Sequence, residues 1–438
     1  MRDRYDLPVS TASAAALQAY DAGVRGLLGW EAAALDHFRS ALAHDPGFGL
    51  AHAGAAVCLF LDERFAEARE AVAAARAVAA GASPREQGHV EALARLVTGQ
   101  VREAEAAMRE HLEAWPRDLV VAQRLYYIWF WQGRFPEMLA LTTRLAPHAP
   151  GDSYLLGMHA FALEEAGRCD EAVRVARAAL TLHPGDAWAV HALAHALYEL
   201  AAFDTGIATL PPAIRPCRGL NWFRNHLIWH LALMHFARGD ERQASRIARR
   251  AFECAPSPVA GDLHDSISML WRLALVGHDV RHRWPPFAAI ARERLDRQSL
   301  LFHAAHLAMA LAGAEDWATA ERQLEMLRER AGRDRTGLTG EVLIPLIEGL
   351  HAFARGEWKT VIERIEPIRP RVIALGGSRA QRDVFHDTYL EACFRAGDAA
   401  RARRLVEERV LRRPDRYWVA RQRRWAGVGD PAPAAAPA

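Results

Sequence analysis

One spacing recurs along this chain and restricts its fold more than any other feature. A mostly small residue is followed by one of variable size four positions on, by an often small one three later, and by a proline five further. Ala34, Phe38, Ala41 and Pro46 set the frame. It returns as Ala104, Met108, His111, Pro116; as Met138, Thr142, Leu145, Pro150; and as Ala172, Ala176, Ala179, Pro184. Later copies are Ala244, Ala248, Ala251, Pro256 and Ala402, Val406, Arg409, Pro414. The leading positions 34, 68, 104, 138, 172 and 206 advance by 34, 36, 34, 34 and 34 residues. A fixed period of this length marks one supersecondary unit copied along the chain. Each unit reads as two antiparallel amphipathic helices, with a turn marked by Gly133, Gly167, Gly239, Gly356 or Gly397 and a proline that stops the second helix. One helix pair cannot bury its apolar face alone, so neighbours must stack, and repeat boundaries are not domain boundaries.

Thirty-four residues is the tetratricopeptide period. The expected fold is therefore all-α: a tetratricopeptide-like helix-turn-helix solenoid, an α-α superhelix of about ten or eleven helix pairs. It is expected to form a single domain over residues 1–426, followed by a disordered Ala/Pro-rich tail at 427–438. Proline pairs within 211–222 and 278–287 predict longer connections there. The 55 basic residues nearly balance 53 acidic ones, and no block of five like charges occurs, so neither nucleic acid nor a membrane is expected as a partner. Five scattered cysteines without a CxxC pair read as reduced thiols. Together with an N-terminus that lacks an apolar signal core, they predict a cytoplasmic protein.

Counting within a repeat assigns faces. In the first helix of a unit, positions 4, 7, 8 and 11 pack on the partner helix, whereas 2, 5, 9, 12 and 13 face the concave groove. With Gly206 at position 20, the packing set is Val190, Leu193, Ala194 and Leu197, and the groove set is Trp188, His191, His195, Tyr198 and Glu199. His191, His195 and Glu199 then form one helical stripe. The next first helix brings Asn225, His226, Trp229 and, one step aside, His230. An earlier unit contributes Tyr127, Phe130 and Trp131, and the C-terminal one Asp387 and Glu391. An aromatic wall leading to a histidine cluster suits a ligand site. Ser378 reads as the N-cap of the helix beginning near Gln381, and Cys58 and Cys393 read as core.

Four motifs go further than bare repeats: His191-Ala192-Leu193-Ala194-His195; Asn225-His226-Leu227-Ile228-Trp229-His230; Ser268-Met269-Leu270-Trp271-Arg272-Leu273; and Gly376-Gly377-Ser378-Arg379-Ala380-Gln381-Arg382-Asp383-Val384-Phe385. They resemble the tetratricopeptide repeat protein 38 family over essentially the whole chain. The resemblance implies an all-helical repeat fold and supplies no catalytic residues.

Two readings of function stand side by side. In the first, His191, His195, Glu199, His226 and His230 form the polar heart of a small-molecule site, either metal-assisted or acid–base. His191, His195 and His226 would then be ligands to a divalent transition metal such as zinc or iron. The substrate-binding set is Tyr127, Phe130, Trp131, Trp188, Tyr198, Asn225, Trp229, Asp387 and Glu391. The second reading is a scaffold that docks a peptide or partner protein in the groove, a second copy of the chain included. The stretch HALAH lacks the glutamate of HExxH, so no metallopeptidase is expected, and no P-loop, dinucleotide fingerprint or GxSxG elbow occurs.

Overall fold

The computed structural model describes residues 1–254 and 256–425, so the tail at 427–438 lies outside the described residues. These residues form 23 α-helices and no strand. The helices come as successive hairpins. Ala14–Leu28 pairs with Ala34–His44, Gly49–Leu61 with Phe65–Ala79, Pro84–Val97 with Val101–Ala114, and Leu119–Phe130 with Phe135–Leu145. Ser153–Glu165 pairs with Cys169–Leu182, and Ala187–Glu199, Phe203–Ile214, Phe223–Arg238, Glu241–Ala248, Ala260–Leu275 and Pro285–Glu293 follow in chain order. Leu301–Gly313 with Trp317–Ala331, Ile344–Arg355 with Trp358–Ile365, and Arg379–Arg395 with Ala399–Arg412 follow, and Arg416–Trp425 ends the series. The chain is thus the tetratricopeptide-like helical solenoid that the period predicts. No helix among the described residues is long and apolar enough to cross a membrane.

The turns explain the clock. Each hairpin turn holds one residue with a left-handed backbone: Gly99, Gly133, Gly167, Gly239, Gly277, Gly356 and Gly397, and also Trp30, Glu63, Ala201 and Glu315. The next residue donates its amide back five positions, as in Arg134 to Trp129, Arg168 to Leu163, Asp240 to His235 and Asp398 to Cys393. This is the six-to-one bond of the Schellman ending, which turns the chain sharply while satisfying carbonyls at the helix end. The turn residues advance by 34 from Gly99 through Ala201, then by 38 to Gly239, Gly277 and Glu315, and by 41 to Gly356 and Gly397. Longer helices cause part of this drift, since Phe223–Arg238 and Ala260–Leu275 have 16 residues against 13 in Ala187–Glu199. Wide turns at Arg249–Glu253 and Thr339–Leu343 and the 3-10 stretch Glu366–Leu375 add to it.

After the third, fourth and fifth hairpins a proline follows the second helix and an aspartate, Asp118, Asp152 or Asp186, caps the next first helix. Asp152 accepts the Leu155 amide and Asp186 the Ala189 amide, both at 3.0 Å. Pro211 and Pro212 do not lie in the connection they were expected to mark; they close the last turn of Phe203–Ile214, and the longer link follows them. Pro285 opens its helix at the first position, where a missing N–H is harmless. The repeat frame holds as core, since Ala34, Phe38, Ala41, Ala104, Met108, Met138, Ala172 and Ala176 are all buried.

The chain forms two compact units, Met1–Ala196 with Pro211–Leu227, and Leu197–Leu210 with the residues from Ile228 onward. All three boundaries fall inside helices, Ala187–Glu199, Phe203–Ile214 and Phe223–Arg238, rather than between repeats.

Candidate functional site

In the first unit, three of the expected histidines lie close together. His191 and His195 lie one turn apart on Ala187–Glu199, and His226 comes from the first turn of Phe223–Arg238. The Nε2 atoms of His191 and His226 are 3.1 Å apart, and the His191 and His195 rings are centred 4.5 Å apart. One ligand nitrogen from each of the three lies within 4.8 Å of the others. Glu164, from Ser153–Glu165, sets Oε2 3.4 Å from Nδ1 of His195. Glu164 and Glu165 are missing from the expected site although the same count, taken with Ala172 at position 20, puts Tyr154, Phe161, Glu164 and Glu165 on the inner face. Applying the rule to that unit would have found them.

These side chains are buried rather than lining an open groove: His195 is 0% exposed, His191 3%, Trp188 4% and His226 6%. The turn after the first helix is responsible. It runs alongside residues 219–221, with Glu31 bridging Leu220, the Ala32 amide donating to the Gly219 carbonyl and the Asn221 amide to the Trp30 carbonyl. Trp30 has φ of 63°, and its ring stacks on Phe223 and Trp188 and meets the edges of Tyr127 and Trp222. Phe161 lies over His191 and His195. Phe130 is buried, and Tyr127 and Trp131 are half-buried. The expected aromatic wall is therefore present and packed.

Of the remaining residues of the expected site, all but Asn225 belong to the second unit, where arginines hold the carboxylates. Glu199 accepts from Arg413 at 2.6 Å instead of extending the histidine stripe, and the Arg413 guanidinium lies 3.7 Å over the Tyr198 ring. Asp387 pairs with Arg409 at 3.1 Å, and Glu391 takes Arg421 and Arg395, both at 2.8 Å. Asp383 accepts from Arg412 and Arg413, each at 2.6 Å. Burial alone would raise the Asp383 carboxyl, but Arg412, Arg413 and Arg409 outweigh it and hold the group well below the carboxylate range. Trp229 is buried near the Arg272 guanidinium, His230 is buried against Trp229, and Asn225 is half-buried in the first turn of its helix.

Two further histidine clusters lie outside the expected site. In the first unit, Asp118 Oδ2 lies 2.8 Å from His89 Nδ1, 3.0 Å from His111 Nε2 and 3.1 Å from Arg85. In the second, His264 Nε2 and His303 Nδ1 are 2.9 Å apart, and Arg294 Nε donates to His303 Nε2 at 3.1 Å. Burial, then Arg294, pushes the His303 imidazole down to about 3, so the ring is neutral.

Among the described residues the second unit presents a shallow, open cleft of about 520 Å³ along one helical segment, lined by Arg242, Ser245, Arg246, Arg249, Arg250 and Cys254. The four arginines follow the i, i+4, i+7, i+8 spacing of one helical face, opposite buried Ala244, Ala248 and Phe252. All four are exposed, and none forms an ion pair among the described residues. The neighbouring carboxylate, Glu253, is held by Arg283 at 2.9 Å.

A family model described as tetratricopeptide repeat matches residues 155–196. This segment carries Phe161, Glu164, Glu165, His191 and His195. A solved structure of the APC/C hetero-tetramer Cut9-Hcn1 is similar at 12% identity and a TM-score of 0.40, over 85% of this chain and 76% of that one. The structure of Naa15/Naa10 bound to HypK-THB is similar at 14% identity and a TM-score of 0.27, over 94% and 65%.

Proposed function

We propose that this chain is a helical-repeat scaffold whose second unit docks an acidic segment of a partner protein in the arginine cleft. The observation that carries the reading is a contrast in access. The groups first expected to do chemistry are packed among rings or claimed by arginines, whereas Arg242, Arg246, Arg249 and Arg250 stand exposed around an open cleft. A guanidinium presents donors in a planar fork that matches a carboxylate, so a row of them at helical spacing suits a run of Asp and Glu side chains. The tetratricopeptide match supports the same employment, since such repeats commonly offer a surface to an extended segment. The four quoted motifs support placing the chain with the tetratricopeptide repeat protein 38 family. The scattered cysteines, with no CxxC among them, support a reducing compartment such as the cytoplasm.

The test is fluorescence anisotropy of a labelled Asp/Glu-rich peptide against the full chain. Saturable binding that weakens as salt rises, and at least tenfold in Arg246→Glu/Arg250→Glu, is expected. Equal binding by that variant, or tighter binding of an oligonucleotide than of the peptide, overturns the reading.

A further inference from the structure

We infer that His191, His195 and His226 bind one divalent transition-metal ion, with Glu164 as the carboxylate that orients His195. The first argument is distance. A tetrahedral ion with bonds of about 2.0–2.1 Å holds its ligand nitrogens roughly 3.3 Å apart, and the His191 and His226 Nε2 atoms stand 3.1 Å apart with a His195 nitrogen within 4.8 Å of both. The three imidazoles come from two neighbouring first helices, two of them at i and i+4 on one, so rigid elements fix the set.

The second argument is charge. Neutral imidazoles bring no counter-charge, and a buried divalent ion needs one. Glu164 and Glu165 supply it: both are buried, and a carboxylate oxygen of each lies within 4.8 Å of a His195 nitrogen. Glu164 faces Nδ1 of His195. A proton held there leaves Nε2 with the lone pair, the carboxylate–histidine–metal arrangement that raises ligand basicity. Phe161, Trp188 and Phe223 wall the cluster and lower its dielectric, which strengthens this compensation. The chemistry is that of nitrogen-favouring ions, zinc first.

The third argument is comparison within the molecule. His89, His111 and Asp118 form an equally tight buried group, but there the Arg85 guanidinium already sits 3.1 Å from the shared carboxylate oxygen and holds the cation's place. In the His191 group it is a carboxylate, that of Glu164, that approaches a histidine nitrogen. A buried site of this kind loads as the unit folds, so the metal contributes to stability.

The inference is independent of the arginine cleft, and either can fail alone. Its test starts with metal analysis of the purified full chain, followed by chelation and titration with cobalt(II). One equivalent per chain is expected, with visible bands of low-coordinate cobalt that zinc abolishes, and a melting temperature that rises with loading. Unfolding on chelation that one equivalent reverses is the same result. His226→Gln should abolish the bands and His111→Gln should keep them. Parent protein that takes up no stoichiometric cobalt and melts at an unchanged temperature overturns the inference, as do bands retained in His226→Gln.

Discussion

At the scale of single residues, position in a helix decides what a polar group does. Asp186 caps the helix that carries His191 and His195, and burial pushes its carboxyl up to about 7. A carboxyl raised in the folded state binds its proton more tightly there than in the unfolded chain. Its favourable contribution is therefore complete below about 4 and is lost as pH rises through about 7. Asp186→Asn keeps a capping oxygen and removes the titration. The variant should lose less stability between pH 5 and pH 8 than the parent, by an amount on the order of a few kcal/mol. Urea melts at the two pH values measure this, and parallel profiles would show that Asp186 does not titrate in that range. The inner-face histidines were legible from counting alone because the frame of the Gly206 unit is unbroken. Trp30 was not, since a left-handed tryptophan carries no mark in the sequence beyond the Gly29 that precedes it.

At the scale of the helical hairpin, the turn and the buried ion network set stability. Gly99 has φ of 82° and open space where a Cβ would point, so Gly99→Ala tests the backbone preference with no steric clash. It should cost roughly 1 kcal/mol by chemical denaturation. Arg413 is fully buried and bonds Glu199, Asp383 and Asp415 at 2.6, 2.6 and 2.9 Å. Arg413→Met leaves these carboxylates without that charge and should cost about 3–5 kcal/mol. Arg168→Ala, which removes an exposed pair with Glu171, should leave the denaturation midpoint close to the parent's. Similar losses for the two arginines would deny the network its role. The count singled out the carboxylates at 199, 387 and 391, but their partners could not be read from it. Arg409, Arg413 and Arg421 follow Gly397, where the period has stretched to 41 residues, and only folding brings Arg413 beside Glu199 across 214 positions.

At the scale of the whole molecule, a net charge of +2 conceals segregation. Acidic side chains near the arginines of the C-terminal helices are consumed in ion pairs, while the arginines of 242–250 stay exposed. That separation is invisible to composition, and the helical spacing that produces it lies in a unit the repeat frame had already matched through Ala244, Ala248 and Ala251. The fold was legible because the period repeats; the docking face was passed over because a charged helical face is ordinarily just solvated. Cys254 lies exposed at the rim of this cleft and offers a direct probe. An environment-sensitive fluorophore is attached there in a Cys169→Ser background, and the chain is titrated with the acidic peptide and with a basic peptide of equal length. The account predicts a saturable signal with the acidic peptide alone, at the concentration range in which anisotropy reports binding; peptide that binds while the Cys254 probe stays silent would contradict it.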